Sequence, residues 1–386
     1  MTALVRRMRP FGSTIFAEMS ALAQRHDAIN LGQGYPDTDG PAAMLEAARA
    51  AIADGLNQYA PGIGMAELRH AVAEDRARRY GLQTDPDREV LVTVGATEAI
   101  AGAVLGLVEP GDEVVLIEPY YDSYAATVAL AGGVRRTVPL VPDGDGFALD
   151  HDALRAAVTG RTRLLIVNTP HNPTGTVLTA DDLAAIAEIA CERDVLVLSD
   201  EVYEHLLFDG AAHTPLAALP GMAERTVTVS SAAKTFNVTG WKTGWAVGPA
   251  ELIDAVRGAK QFLSYVGATP FQPAVALALR TEQAWIDANR TALQAKRDML
   301  SAALREVGFG VHASAGTYFV LADPRPLGYH DGGELCRDMP ARIGVAAVPM
   351  TPFTDHPQDW QHLVRFAFCK RDEVLAEAVS RLHRLV

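Results

Sequence analysis

Cysteine is scarce in this chain. Cys191, Cys336 and Cys369 are its only thiols in 386 residues, far apart and without a CxxC pair. That spacing excludes a disulfide framework and the common structural zinc motifs, and it fits reduced thiols in a cytoplasm. Three small buried hydrophobes is the plainest account of them. Long apolar runs are missing as well. None approaches the ~18 residues a spanning helix needs, so no membrane segment is expected. Positive charge is short: 34 Lys and Arg stand against 47 Asp and Glu, a net charge of −13. Such a balance leaves no basic footprint for nucleic acid. The opening MTALVRRMRPFGST carries early arginines but no apolar h-region behind them, so it is not expected to be a secretory signal. Internal repeats and low-complexity tracts are absent too.

Apolar residues, by contrast, make up 49% of the chain, enough for a deep interior. The length suits one large domain plus a smaller one. Residues 13–25 show helical spacing through Ile15, Met19 and Leu22, and residues 42–54 do so again up to Gly55. Between them, INLGQGYPDTDGP holds three glycines and two prolines. A loop of this kind is either punctuation or a place where backbone approaches a ligand. Gly62-Ile63-Gly64-Met65-Ala66-Glu67 is a near miss to the dinucleotide fingerprint. Glu67 replaces the third glycine and no buried strand precedes it, which excludes a nicotinamide role.

From Glu89 the pattern becomes strand, loop, helix. EVLVTV, EVVLIE, RLLIVN and VLVLSD are strands, and helices follow three of them, one over 180–192. This alternation predicts an α/β fold with a mainly parallel sheet flanked by helices. PDGDGFALD resembles a calcium loop only superficially, because Phe147 stands where an acidic ligand is needed; a turn is expected. After residue 286 come a long amphipathic helix to about residue 307, short strands near 317–321 and 363–368, and a final helix. The expected division is a large domain over 45–285 and a small α+β domain made of 1–44 and 286–386.

The stretch that organises these elements is TVTVSSAAKTFNVTGWKTGW, 226–245. A β-prone start runs into small residues and Lys234, with a second cation at Lys242. Open α/β sheets place ligands beyond the strand carboxyl ends, and partial burial there lowers an amine's pKa. Such a lysine can form a Schiff base with an aldehyde, although the stretch alone also fits an ordinary surface lysine. Other strand ends supply matching parts. Gly95, Ala96 and Thr97 open a helix whose free N–H groups suit a phosphate. Tyr120 and Tyr121 offer a flat face, Asn172 sits in an NPTG turn, and Asp200 ends a buried strand with Tyr203 three residues on. Taken singly each has an ordinary explanation: a helix start, core tyrosines, an Asx turn, an N-cap. Together they are the parts that hold pyridoxal 5′-phosphate. Asp200 would keep the ring nitrogen protonated, Asn172 and Tyr203 would bond its phenolic oxygen, and Lys234 would move the substrate's Cα proton.

INLGQGYPD, NQYAPGIG, VTVGATEA, EPYYDSY, NTPHNPTG, SDEVYEH, SSAAKTFNVTGWKTGW, GTYFVLADP and LVRFAFCK occur in that order. Along essentially its whole length the chain resembles the fold-type I, class I/II aminotransferases (EC 2.6.1.-). The resemblance implies that Lys234 carries the cofactor, Asp200 pairs with its ring nitrogen and Tyr121 stacks on it. Ala96, Thr97, Ser231 and Lys242 then hold the phosphate, Lys242 replacing the arginine of aspartate aminotransferases and so keeping charge but losing the fork. Tyr59 matches the tyrosine that reaches the neighbouring subunit's phosphate, which implies a homodimer. Arg365 matches the arginine that grips the substrate α-carboxylate, with Gly34 and Asn172 beside it.

QGYPD, EPYYDSY and SDEVYEH are similar to the kynurenine, glutamine and methionine branch. GATEAIAGAVLGLVEPGDEV, SSAAKTFNVTGWK and YVGATPFQPAVALAL are similar to proteins assigned as N-succinyldiaminopimelate aminotransferases of lysine biosynthesis, with glutamate and 2-oxoglutarate as the other couple. In the branch Phe16, Tyr35, Tyr121 and Tyr265 line the side-chain pocket, which suits aromatic or thioether substrates. A succinylated substrate would want a second cation there, and none is evident from sequence. Two other classes remain: a cysteine-S-conjugate β-lyase using the same chemistry, and a regulator with an aminotransferase-like domain. For the second, the residues ahead of Ile29 are too few to form a DNA-binding module.

Overall fold

The computed structural model describes residues 4–12 and 14–386. Residues 1–3 and 13, and with them the first position of the expected 13–25 segment, lie outside the described residues. Seven strands build the central sheet: β1 (Val90–Val94), β2 (Glu113–Glu118), β3 (Val134–Pro139), β4 (Thr162–Asn168), β5 (Leu196–Asp200), β6 (Thr226–Ser231) and β7 (Thr243–Val247). Their order is β1-β7-β6-β5-β4-β2-β3. Neighbouring pairs from β6 through β3 run parallel, while β7 is antiparallel to both β1 and β6. Helices cover both faces, so β2, β6 and β7 are buried throughout, as parallel sheets in α/β proteins require.

Two of these strands were not anticipated. β7 is TGWAV, whose glycine and neighbouring GWK read as a loop; it is inserted between β1 and β6 and wholly buried. β3 is VRRTVP at the sheet edge, where paired arginines break the apolar pattern. Those arginines are satisfied by Asp355 and by the buried Glu113.

A second sheet contains β8 (Gly310–Val311), β9 (Phe319–Asp323), β10 (Val348–Pro349) and β11 (Val364–Ala367), in the order β8-β9-β11-β10 and antiparallel throughout. The helix Gln283–Val307 buries Ile286, Leu293, Leu300, Leu304 and Val307 on one face. The glycine-rich loop after Asn30 is tied to this sheet's side of the molecule. Ile29–Asn30 pairs in parallel with Val345–Ala346, and Ala367 N–H donates to the Leu31 carbonyl at 2.7 Å. PDGDGFA forms the expected turn, between short strands Val141–Asp143 and Gly146–Ala148.

Candidate active site

The carboxyl ends of β4, β5 and β6 and the helix start after β1 open on one cleft of about 300 Å³. Phe16, Gly34, Tyr35, Gly95, Ala96, Thr97, Tyr121, Asn172, Asp200, Tyr203, Ser231, Lys234, Lys242 and Arg365, all expected from sequence, line it together. Residues 200 and 234 therefore face the same space.

One end of the cleft is an anion cradle. Gly95 (φ +71°) swings the chain out of β1 directly into the helix Gly95–Leu107, whose N-terminus has no side-chain cap. Its first N–H groups are thus free for a ligand. Opposite runs β7, pressed so close that a Cβ on Gly244 would lie 2.8 Å from Ala96 N. Lys242 adopts φ +51°, uncommon for a side-chain-bearing residue, and this brings its amine beside Gly95. Ser231 adds a buried hydroxyl. Its neighbour Ser230 points to the other face, as strand alternation requires, and donates to Glu204 at 2.6 Å. Behind the sheet, Glu201, Glu204 and His213 lie within 4.8 Å of one another. Ser199, Tyr80, Ser230 and His213 already engage those carboxylates, so the cluster acts as a brace tying β5 to β6.

Asp200 sits at the cleft floor. Burial pushes its carboxyl up to about 6, opposed by the Tyr124 hydroxyl, the Val202 N–H and the Lys234 amine. Tyr124 donates to it at 2.5 Å. Lys234, half-buried at the cleft wall, is brought down to about 8 by desolvation, with Lys242 and Arg365 adding repulsion against the attraction of Cys369 and Asp200. Its Nζ donates to the Tyr318 hydroxyl at 2.7 Å. Tyr203 stands edge-on to Tyr318, ring centroids 5.3 Å apart.

Arg365 closes the other end. It is 1% exposed, lies over Phe319 at 3.9 Å, and donates to Asn172 Oδ1 (2.8 Å) and the Gly32 carbonyl (3.1 Å). Its Nε has no partner among the described residues, an orphan donor in a buried place. Because a guanidinium only donates, the atom Asn172 turns to it is oxygen, which leaves the Asn172 NH₂ free.

Tyr59 and Tyr265 do not reach this cleft. They meet each other edge-on at 5.6 Å on the surface, 82% and 49% exposed. Tyr265, expected to line the side-chain pocket, is not among the residues lining this chain's cleft. Its φ of +65° and the hold of Lys260 Nζ on its carbonyl (2.6 Å) fix that loop away from the cleft. Sequence reasoning also missed Tyr124, Asn168, Tyr318 and Phe319. Signals existed: Tyr124 follows Tyr121 by three residues beside a helix start, Asn168 ends β4 in register with Asp200, and GTYF brings two adjacent rings into a motif of the family.

Known proteins of this shape are close. A Mycobacterium tuberculosis protein named "Probable N-succinyldiaminopimelate aminotransferase DapC" is 65% identical over 98% of this chain and 97% of its own length. A solved N-succinyldiaminopimelate aminotransferase from M. tuberculosis superposes with a TM-score of 0.98 at 66% identity, covering both chains completely. The methionine aminotransferase of Escherichia coli is 42% identical over 98% of this chain and 97% of that protein. Mouse kynurenine–oxoglutarate transaminase 3 is 37% identical over 97% and 89%. The family model for aminotransferase class I and II matches residues 26–382, which hold the whole of both sheets and every cleft residue named above except Phe16, and the chain belongs to that family.

Proposed function

We propose that this aminotransferase exchanges an amino group between N-succinyl-LL-diaminopimelate and the glutamate/2-oxoglutarate couple. The observation that carries this is the 65% identity, end to end, with the M. tuberculosis protein of that name, against 42% and 37% for the methionine and kynurenine enzymes. One observation favours a second substrate class, methionine or kynurenine. The cleft lining has Lys234, Lys242 and Arg365 as its cations, and Phe16, Tyr35 and Tyr121 as its flat apolar walls. No further cation among those residues awaits the extra carboxylates of a succinylated substrate. The test is single-turnover conversion of the enzyme by succinyl-diaminopimelate, kynurenine, methionine and glutamine in parallel. Fastest conversion by the first supports the proposal, and fastest conversion by an aromatic or thioether amino acid replaces it. Release of pyruvate from a cysteine conjugate without added oxo acid identifies β-lyase activity.

The family implies pyridoxal 5′-phosphate, and the residues present fit it: an uncapped helix start with an amine beside it, a buried carboxylate, and a half-buried lysine of lowered pKa in one cleft. When bound, the cofactor supplies the electron sink that acidifies the substrate's Cα–H. Gly95, Ala96, Thr97, Ser231 and Lys242 would hold its phosphate, Tyr121 its ring face, Asn172 and Tyr203 its phenolic oxygen. Asp200, ionised, would hold a proton on the ring nitrogen by charge attraction in a water-poor site. Lys234 would accept the substrate's Cα proton. Arg365 would orient the substrate by its α-carboxylate, its guanidinium held by Asn172 Oδ1 and the Gly32 carbonyl.

Arg365→Ala is expected to weaken amino-acid binding by about 2–5 kcal/mol, the usual loss for a buried charge pair. A rise in KM of at least ~30-fold follows, with cofactor affinity unchanged because none of its contacts reaches the phosphate cradle. An unchanged KM places the carboxylate grip elsewhere.

Homodimerisation belongs to the same proposal. In a dimer the exposed pair Tyr59 and Tyr265 reaches the partner's cleft, Tyr59 at the phosphate. Tyr59→Phe is expected to speed cofactor loss on dialysis by about 10-fold or more, since a hydrogen bond to a charged group contributes about 1.5–3 kcal/mol. A fully active monomer in sedimentation overturns this part. The division into a domain of 45–285 and one of 1–44 with 286–386 is likewise proposed, each unit keeping its own sheet.

A further inference from the structure

Three distant parts of the chain meet at one phenol. Tyr318 is fully buried at the entry to β9, accepts from Lys234 Nζ at 2.7 Å and donates to the Gly34 carbonyl at 2.5 Å. The direction of each bond follows from its partners. A carbonyl only accepts, so the phenolic proton is committed to Gly34 and the oxygen meets the lysine with lone pairs alone. Burial holds the phenol well above its ordinary pKa, so that proton stays in place.

The placement is built. Thr317, just before it, adopts φ +68°, a left-handed backbone rare for a β-branched residue. It is held there by its N–H to the Leu206 carbonyl (2.9 Å) and by its hydroxyl, which accepts the Phe319 N–H (3.1 Å). Gly34 matches: a Cβ there would sit 2.9 Å from the Tyr318 ring.

We propose that Tyr318 is the positioning residue for the released Lys234 amine, offering it an acceptor only, so that the amine directs an N–H at the phenol and keeps its lone pair for the substrate's Cα proton. The proposal rests on the function above, in which Lys234 moves that proton. In the step the Cα–H bond breaks, a new N–H forms on Lys234, and the bonding pair stays with the substrate carbon. The resulting ammonium still donates to Tyr318, whose own proton takes no part. A donor in the place of Tyr318 would cap the lone pair, and without any partner the four-carbon stem would sample several rotamers. Because the phenol is also bonded to Gly34, the aim of the lysine depends on the seating of the substrate-side loop.

Tyr318→Phe keeps the ring and removes the acceptor. With glutamate and its Cα-deuterated form, single-turnover conversion of the holoenzyme is expected to slow ~10- to 100-fold, in the range a misplaced catalytic group produces. The deuterium effect should grow and the glutamate Kd stay as it was. In the aminated holoenzyme, acetic anhydride labelling of Lys234 across pH, read by mass spectrometry, should report a lower amine pKa in the variant, since the lost acceptor favoured the ammonium. A crystal structure of the wild-type aminated form, which needs no variant to fold, should place Nζ within hydrogen-bond reach of the Tyr318 hydroxyl. Unchanged rate and isotope effect in the variant, or a wild-type amine turned to another partner, overturns the proposal. Failure of the underlying function looks different: Lys234→Ala then retains turnover, whereas failure of this inference alone leaves Lys234→Ala inactive and Tyr318→Phe silent.

Discussion

A Lys234→Ala protein is expected to keep the phosphate cradle yet lose every trace of covalent cofactor capture. Borohydride reduction followed by peptide mapping should find no modified lysine, where the wild-type protein yields one at residue 234. Turnover should fall by at least ~10²–10⁴-fold, the range a general base contributes by itself. The physical ground is the amine's environment. Burial brings Lys234 to about 8, so at pH 7 it offers about 300-fold more neutral amine than a lysine titrating near 10.4–10.5. No cation of the phosphate end replaces it: Lys242 is held beside Gly95 by a left-handed backbone, turned to the cradle. Capture of the cofactor at any other lysine, or turnover that survives the substitution, overturns the assignment.

The parts of this site that sequence made legible are those where chemistry and secondary structure coincide. A strand that ends in a carboxylate or runs into a lysine is visible in a linear pattern, because side-chain periodicity fixes the strand and the fold rule fixes which end binds. Asp200 and Lys234 were found in that way, and so was the helix start at Gly95. Tyr318 and Tyr124 were not. Each acts through a partner far off in the chain, Tyr318 on Lys234 and Gly34, Tyr124 on Asp200. A local window hints at most that such a ring stands near the site, and it does not show the distant partner on which the ring acts. β7 was hidden for a related reason. Its glycine looks like loop punctuation, yet Gly244 is required there because the backbone of Gly95 and Ala96 lies where a side chain would go. Tyr265 is the converse case, since a position carried over from relatives says nothing of which copy's cleft the ring faces.

Asp200→Asn is expected to reduce turnover by about 10²- to 5 × 10³-fold, from the ~3–5 kcal/mol lost when one partner of a buried charge pair is removed. The amide keeps the shape and can still accept a hydrogen bond, so the cofactor should bind; what disappears is the negative charge that holds a proton on the ring nitrogen. The pH profile separates this from a packing defect. In the proposed mechanism Asp200 acts as the anion, the form present above its pKa and lost as pH falls through it. Burial sets that pKa at about 6 against the pull of Tyr124, Val202 and Lys234, and a protonated ring nitrogen opposite it moves the titration lower still. Wild-type activity should therefore decline on the acid side in a limb at or below pH 6, and the Asp200→Asn protein should lack that limb while running at its reduced rate. Wild-type turnover in the asparagine variant, or an acid limb that survives the substitution, would mean that another group supplies the charge.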